Sequence, residues 1–395
     1  MRHNARLYLI GLTASTVGDT AMSLVAGIWV KSLTGSNAAA GVVTALVYAP
    51  SLAAPAAGVL ADRVRRKRLL IWVNAVMAAL LPVLLAVDRV DRVWLIYLLM
   101  ACYGTALALS DPAENALFAA MFDHELRARL NGIRLSIQEV GRLLAPLAGA
   151  GLFVALGGGA VALLDAATFA VAALLIARIR VSEPPPEPRV RPWRAEMWSG
   201  AVQLWRTHDL RLVLLTATVA MLVSGVVAPA QYAMLDALRR PPSFLGVVSA
   251  LLGLGSLLAG LASGRLIARF GEPWIAVAGF VNSGIGFALQ CLPWLSAALT
   301  GAFVRGFALP WIVVAAHTPT QRRTPSDRQG RAAAAVGLLL FAPQPLAQFT
   351  GAGLIAVVDY RVLYAVAALT GLVAAVWLAK RVRDPAMRSP RDRSL

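Results

Sequence analysis

Charge is scarce in this chain. Asp, Glu, Lys and Arg supply 14% of its 395 residues while hydrophobic residues supply 58%, against about 25% charged residues in a soluble domain. That shortage excludes a solvated globular surface. Cysteine is nearly missing too: Cys102 and Cys291 both lie inside apolar runs, which supports neither a disulfide framework nor a zinc site. The only histidines are His3, His124, His208 and His317, all at the predicted ends of apolar runs, so no metal site and no histidine proton relay is expected within a bilayer. No Gly-rich loop ending in Lys-Ser/Thr appears, which excludes a nucleotide-driven pump encoded in this chain alone.

What the chain does have is length after length of apolar sequence. A span needs about 20 apolar residues, and the first half offers Leu7–Leu33, Ala38–Ala61, Leu69–Val87, Val93–Ala113, Ile133–Leu156 and Gly159–Ala177. The second half offers Leu212–Met234, Phe244–Ile267, Trp274–Leu292, Ser296–Ala316, Ala332–Val358 and Val362–Leu378. The expected fold is an all-α membrane protein of twelve transmembrane helices, because lipid satisfies no exposed backbone. The first run lacks a small-residue cleavage site and reads as a retained helix.

A net charge of +17 invites a nucleic-acid reading, but the basic residues sit between apolar runs without interleaved aromatics, so no nucleic-acid partner is expected. With both termini in the cytoplasm, one side collects about 29 of the 37 Lys and Arg residues, against about six on the other. That asymmetry predicts a multi-pass protein of the cell inner membrane.

The connection at 181–211 divides residues 1–180 from residues 212–380, and residues 381–395 form a cytoplasmic tail. Pro184-Pro185-Pro186 predicts a stiff solvated segment, and Trp193–Arg211 predicts an amphipathic helix on the membrane surface. The halves read as a diverged repeat, since Gly149-Ala150-Gly151-Leu152 recurs as Gly351-Ala352-Gly353-Leu354. The architecture expected is therefore two pseudo-symmetric six-helix bundles.

Gly58-Val59-Leu60-Ala61-Asp62-Arg63-Val64-Arg65-Arg66-Lys67-Arg68 resembles the motif after the second helix of the major facilitator superfamily, departing from it at Arg65, where the motif has glycine. The resemblance implies a conformational latch of Gly58, Asp62, Arg63 and Arg66. The second half keeps a degenerate copy, Gly264–Gly271, with Ala268 where the acid would be. Gly132, Gly141, Ala145-Pro146 and Gly149-Ala150 resemble the helix-5 pattern of antiporters in that superfamily, with two glycines replaced by alanine, and imply export. Gly18-Asp19, Arg129-Leu130-Asn131, Gly200, Leu204-Trp205-Arg206, Leu210-Arg211 and Gln329-Gly330-Arg331 are similar to the branch that includes macrolide-efflux proteins and the enterobactin exporter.

An ionisable side chain at mid-membrane costs about 2.5–3.5 kcal/mol on insertion scales, which makes each one a functional candidate. Asp19 falls near the middle of span 1, and Glu139, Asp111 and Asp165 complete the proton-coupling candidates. Glu139 and Arg142, like Asp111 and Glu114, are three apart and share a helix face; each pair reads equally as a structural ion pair or interfacial cap. Arg305 lies in span 10, a cavity-lining position in the fold the resemblance implies. With Arg142, Glu114, Tyr103, Trp29, Tyr232 and Trp311 it forms the substrate-cavity set, the aromatics reading equally as core or interface anchors.

The expected function is proton-coupled efflux of a small amphipathic molecule by alternating access. The proton gradient is the energy source, no cofactor or metal is needed, and the partners are substrate, protons and lipid. A monomer is expected. Proton symport for uptake fits the same buried carboxylates. A lipid-modifying membrane enzyme would need clustered catalytic groups at one face, and the short outside loops argue against it.

Overall fold

A helix closes its own backbone hydrogen bonds, so an apolar run bounded by charge folds as one when it meets lipid. The computed structural model describes residues 2–53, 64–181, 183, 208–323, 336–337 and 339–383, and every regular element among them is helical. Helices α1 (Arg2–Thr34), α2 (Asn37–Tyr48), α3 (Arg66–Leu80), α4 (Val93–Met121), α5 (His124–Leu156) and α6 (Gly158–Arg178) follow spans 1 to 6. In the second half α7 (His208–Val227) and α8 (Ala230–Ala237) share span 7, α9 (Leu245–Phe270) is span 8 and α10 (Glu272–Gln290) is span 9. Span 10 is divided between α11 (Leu295–Gly306) and α12 (Ala308–Arg323), α13 (Gln344–Leu354) lies in span 11, and α14 (Tyr360–Arg383) is span 12.

Among the described residues, 8 helices are long and apolar enough to cross a membrane, or 9 with α7 and α8 counted as one bent span. Span 2 is described only as far as Ala53, and span 11 only in part. Gly58, Asp62 and Arg63 of the expected latch, the triproline, the surface helix at 193–207 and the tail from 384 lie outside the described residues.

Three expectations change. Helix α5 begins at His124 rather than Ile133, because the Asp123 side chain accepts from the Leu126 N–H at 2.9 Å and Glu125 follows in the first turn, a cap that starts the helix well before its apolar part. Span 7 breaks after Val227 and bends by 50° at Ala228-Pro229, where proline removes a helical donor. Span 10 is interrupted at Phe307.

The outward faces are apolar. On α14, Val362, Val366, Leu369, Val373 and Val376 are exposed, whereas Leu363, Tyr364, Ala367, Gly371 and Ala375 are buried. A helix with apolar residues on both faces belongs in lipid.

The chain divides into two compact units, Met1–Val190 with Arg239–Ala250, and Arg191–Leu238 with Leu251–Leu395. Inside the first, Met22, Val25 and Trp29 of α1 pack with Met100 and Tyr103 of α4 and Phe169 of α6. The repeated tetrapeptide does the same job in each unit. A Cβ on Gly149 would lie 2.8 Å from the Ala21 Cβ of α1, and one on Gly351 would collide with the Val226 carbonyl of α7. The next glycine of each repeat, Gly151 and Gly353, meets nothing within 4 Å. So the first glycine is a packing requirement and the second is not.

This asymmetry predicts that Gly351→Val lowers the melting temperature and folded yield of the detergent-solubilised protein, at the overpacking cost of about 1–3 kcal/mol or more. Gly353→Val, on the same helix, leaves both close to wild type.

Candidate functional site

The first unit holds a cluster of buried ionisable groups along the seam of α1, α4 and α6. On α1, Ser15, Asp19 and Ser23 recur every four residues and share one face. Ser15 Oγ donates to Asp19 Oδ2 at 2.8 Å, and Ser23 Oγ donates to the Asp19 carbonyl at 2.7 Å. Tyr103 reaches across from α4, and its hydroxyl donates to Asp19 Oδ1 at 2.6 Å, the length of a hydrogen bond to a carboxylate. The Phe169 ring of α6 meets the Tyr103 ring edge-on at 5.7 Å.

Asp165 of α6 flanks the same hydroxyl. It is wholly buried. Its Oδ1 accepts from Thr168 Oγ1 at 3.1 Å, and its Oδ2 has no hydrogen-bond partner among the described residues. Two carboxylates from different helices thus face one phenol. Gly18 makes this possible, since a Cβ there would collide with Asp165 Oδ1 and Thr168 Oγ1.

Asp19 also borders a cavity of ≈ 160 Å³ between α1, α3, α4, α5 and α6. Farther along α4 the cavity is lined by Asp111 and Glu114, with Arg134 and Gln138 from α5 and Asn74 from α3. Eleven residues of helix, from Tyr8 to Asp19 or from Tyr103 to Glu114, span about 16 Å. The Tyr8 hydroxyl donates to Glu114 Oε1 at 2.6 Å, and Arg134 Nη2 stands 3.9 Å from the same oxygen. Arg134 Nη1 also donates to Asn115 Oδ1 at 2.6 Å. Glu114 and Asp111 therefore share one guanidinium at one end of the cavity and Asp19 borders the other, in a space roomy enough for water or a small polar group.

The structure brings Asp19, Asp165 and Tyr103 together and sets Asp111 and Glu114 on the same cavity. Glu139 and Arg142 do not line it. They bond to each other at 3.0 Å with Arg142 more than half exposed. Of the helix-5 pattern, Gly141 and Gly149 face Thr16 and Ala21 of α1, Pro146 is buried, and Gly132 is open. Trp29 packs against Gly158 in the core of the first unit. In the second unit Tyr232 is buried on α8, Trp311 is buried with its indole N–H donating to the Ala259 carbonyl at 3.2 Å, and Arg305 bonds Gln290.

Sequence reasoning misses Ser15, Tyr8 and Arg134. Ser15 carries a signal, one turn before Asp19; Arg134 is absorbed into the count of topology-setting charges. Glu183 is missed as well. Its Oε2 and Oε1 accept from the backbone N–H groups of Arg66 and Lys67 at 2.8 and 3.0 Å, capping the otherwise orphaned start of α3. Lys67 Nζ donates to the Ile179 carbonyl at 2.8 Å. Arg66, expected in a latch with Asp62, is thus held through its main chain by an acid from beyond α6.

Tyr103→Phe keeps the ring packing but strips Asp19 Oδ1 of its donor. The expected result is a loss of about 1.5–3 kcal/mol in unfolding free energy, the range for hydrogen bonds to charged groups, read from denaturation of the purified protein.

Known proteins share both this architecture and stretches of this sequence. The family model of the Major Facilitator Superfamily matches residues 7–228 and 212–394. Macrolide efflux protein A of Streptococcus pyogenes is 24% identical over 262 residues, covering 64% of this chain and 64% of that protein. The chain thus matches somewhat less than two thirds of that relative's length. Among solved structures, a point mutant of the nucleoside transporter NupG superposes with a TM-score of 0.76 at 13% identity, covering 96% of this chain and 99% of that one. A bacterial homologue of the iron transporter ferroportin in an inward-facing state gives 0.72 at 16%, covering 97% and 100%. At such identities the structures establish the fold, and the sequence model, matching nearly end to end, establishes the kinship: the chain belongs to the Major Facilitator Superfamily of membrane transporters.

Proposed function

We propose that this protein is a proton-coupled exporter of a small amphipathic molecule. It works by alternating access as a monomer in the inner membrane, with both termini cytoplasmic. The observation that carries the reading is the Asp19–Tyr103–Asp165 cluster. An ionised carboxylate only accepts hydrogen bonds, and a phenol has a single proton to give. Tyr103 gives its proton to Asp19, which leaves the buried Asp165 Oδ2 without a donor. One added proton completes the set: a protonated Asp165 donates to the Tyr103 oxygen while Tyr103 goes on donating to Asp19. A like-charged buried pair of this kind holds one proton in common.

The cavity bounded by Asp111 and Glu114 supplies the route. A proton leaving Asp19 meets these acceptors on the way to the membrane face near Tyr8, the cytoplasmic one in the orientation that the basic residues favour. Proton entry to the cytoplasm then accompanies release of cargo outside. Export rather than uptake is supported by the Gly141, Pro146 and Gly149 pattern on α5 and by the likeness to a macrolide efflux protein.

Inverted membrane vesicles energised to an acidic interior test this. Adding a macrolide probe should release protons from vesicles with wild-type protein, as seen with a pH-sensing dye. Asp19→Asn and Asp165→Asn should each reduce that release by about tenfold or more, since one lost interaction of 1.4 kcal/mol is already a factor of ten. Arg142→Gln, outside the cavity, should leave it near wild type. Unchanged proton release in Asp19→Asn would overturn the assignment.

A further inference from the structure

The second unit contains a cluster of the opposite sign that the proton chemistry does not use. Arg305 of α11 donates from Nη1 to Gln290 Oε1 of α10 at 2.7 Å. Its guanidinium carbon lies 4.3 Å from the centre of the Phe287 ring. The Tyr364 ring of α14 packs against that same phenylalanine, centroids 5.6 Å apart. The helices close tightly around the group. A Cβ on Gly286 would meet Arg305 Cγ at 2.6 Å, and one on Gly301 would meet Gln290 Cγ at 2.8 Å.

What this cluster leaves unanswered are its donors. A guanidinium carries five N–H groups, and one hydrogen bond from Arg305 is accounted for. Gln290 and Tyr364 are both wholly buried. Among the described residues the Gln290 amide nitrogen and the Tyr364 hydroxyl nevertheless have no hydrogen-bond partner. Among the described residues no carboxylate forms an ion pair with Arg305, whereas Arg134 and Arg142 each have one. Buried donors almost always find acceptors, and a buried cation a counter-charge. Ring stacking on Phe287 contributes to holding the guanidinium but supplies no acceptor for the amide or the phenol.

We propose that Arg305, Gln290 and Tyr364 form an anion-binding site in the second half, with Phe287 as its floor, that takes a compact monoanionic group. A carboxylate carried by the cargo and a free halide share this chemistry. Both present a single concentrated negative charge to a guanidinium edge, an amide N–H and a phenol O–H. Arg305 is half-buried and so the least enclosed member of the cluster, since Gln290, Phe287 and Tyr364 are all buried. The site is built from residues of the second unit alone and the proton cluster from residues of the first, so its anion binding does not depend on the export reading.

The test uses the full-length protein in lipid nanodiscs. Its melting temperature is followed during titration with sodium chloride or sodium acetate, against bulky gluconate at equal ionic strength. Wild-type protein should show a saturable rise, because a ligand that binds only the folded state stabilises it. A rise with chloride alone assigns the site to a free halide; a rise with acetate assigns it to a carboxylate. Arg305→Gln should abolish the response. Tyr364→Phe and Gln290→Leu, which keep the packing, should each raise the half-saturating concentration by about tenfold, and they serve if Arg305→Gln does not fold. Asp19→Asn should keep the wild-type response. No saturable rise in the wild type, or the same midpoint in all three site variants, overturns the proposal.

Discussion

Inside an apolar bundle a charged group has no water to fall back on, so its position is fixed by whichever partners the helices can bring to it. In the first unit that requirement falls on Asp19. Tyr103 and Ser15 occupy its two oxygens, and both partners are placed by helix geometry: Ser15 one turn away on α1, Tyr103 across the seam on α4. The closeness of α6, and with it the second carboxylate, follows from the missing side chain at Gly18. The core around the cluster, Met22, Val25, Met100 and Phe169, lowers the local dielectric, so each donor counts for more than it would in water.

Much of this was legible in the sequence, for physical reasons. Apolar runs and the arginine asymmetry report directly on the bilayer, so the helices and their order could be read. Gly18-Asp19 could be singled out because a carboxylate in the middle of an apolar run has few structural excuses. What the sequence concealed were partnerships across helices. That Tyr103 would answer Asp19 rather than serve as an interface anchor depends on the rotation of α4 about its axis, which hydropathy does not encode. The early start of α5 was hidden because a helix set by the Asp123 cap continues through charged residues that mark the end of an apolar run. The break in span 7 was visible only as Pro229, a residue that membrane helices often accommodate without breaking.

The two units share packing rules and differ in chemistry. In the first, carboxylates outnumber cations along the α1, α4 and α6 seam. In the second, the Arg305 guanidinium bonds an amide beside a buried phenol and, among the described residues, pairs with no acid. Acceptors thus gather in one unit, and the unanswered donors around Arg305 lie in the other. The same division explains why aromatic residues met different fates: Tyr103 and Tyr364 are polar members of clusters, whereas Trp29 is held as pure volume against Gly158.

The repeated Gly-Ala-Gly-Leu segment separates mechanical from chemical inheritance. Its first glycine sets how closely α5 approaches α1 in one unit and how closely α13 approaches α7 in the other, and no ionisable atom takes part in either crossing. The chassis is therefore written in residues that carry no specificity. Polar side chains elsewhere on these helices can be exchanged while the crossings at Gly149 and Gly351 that hold each bundle together stay unchanged.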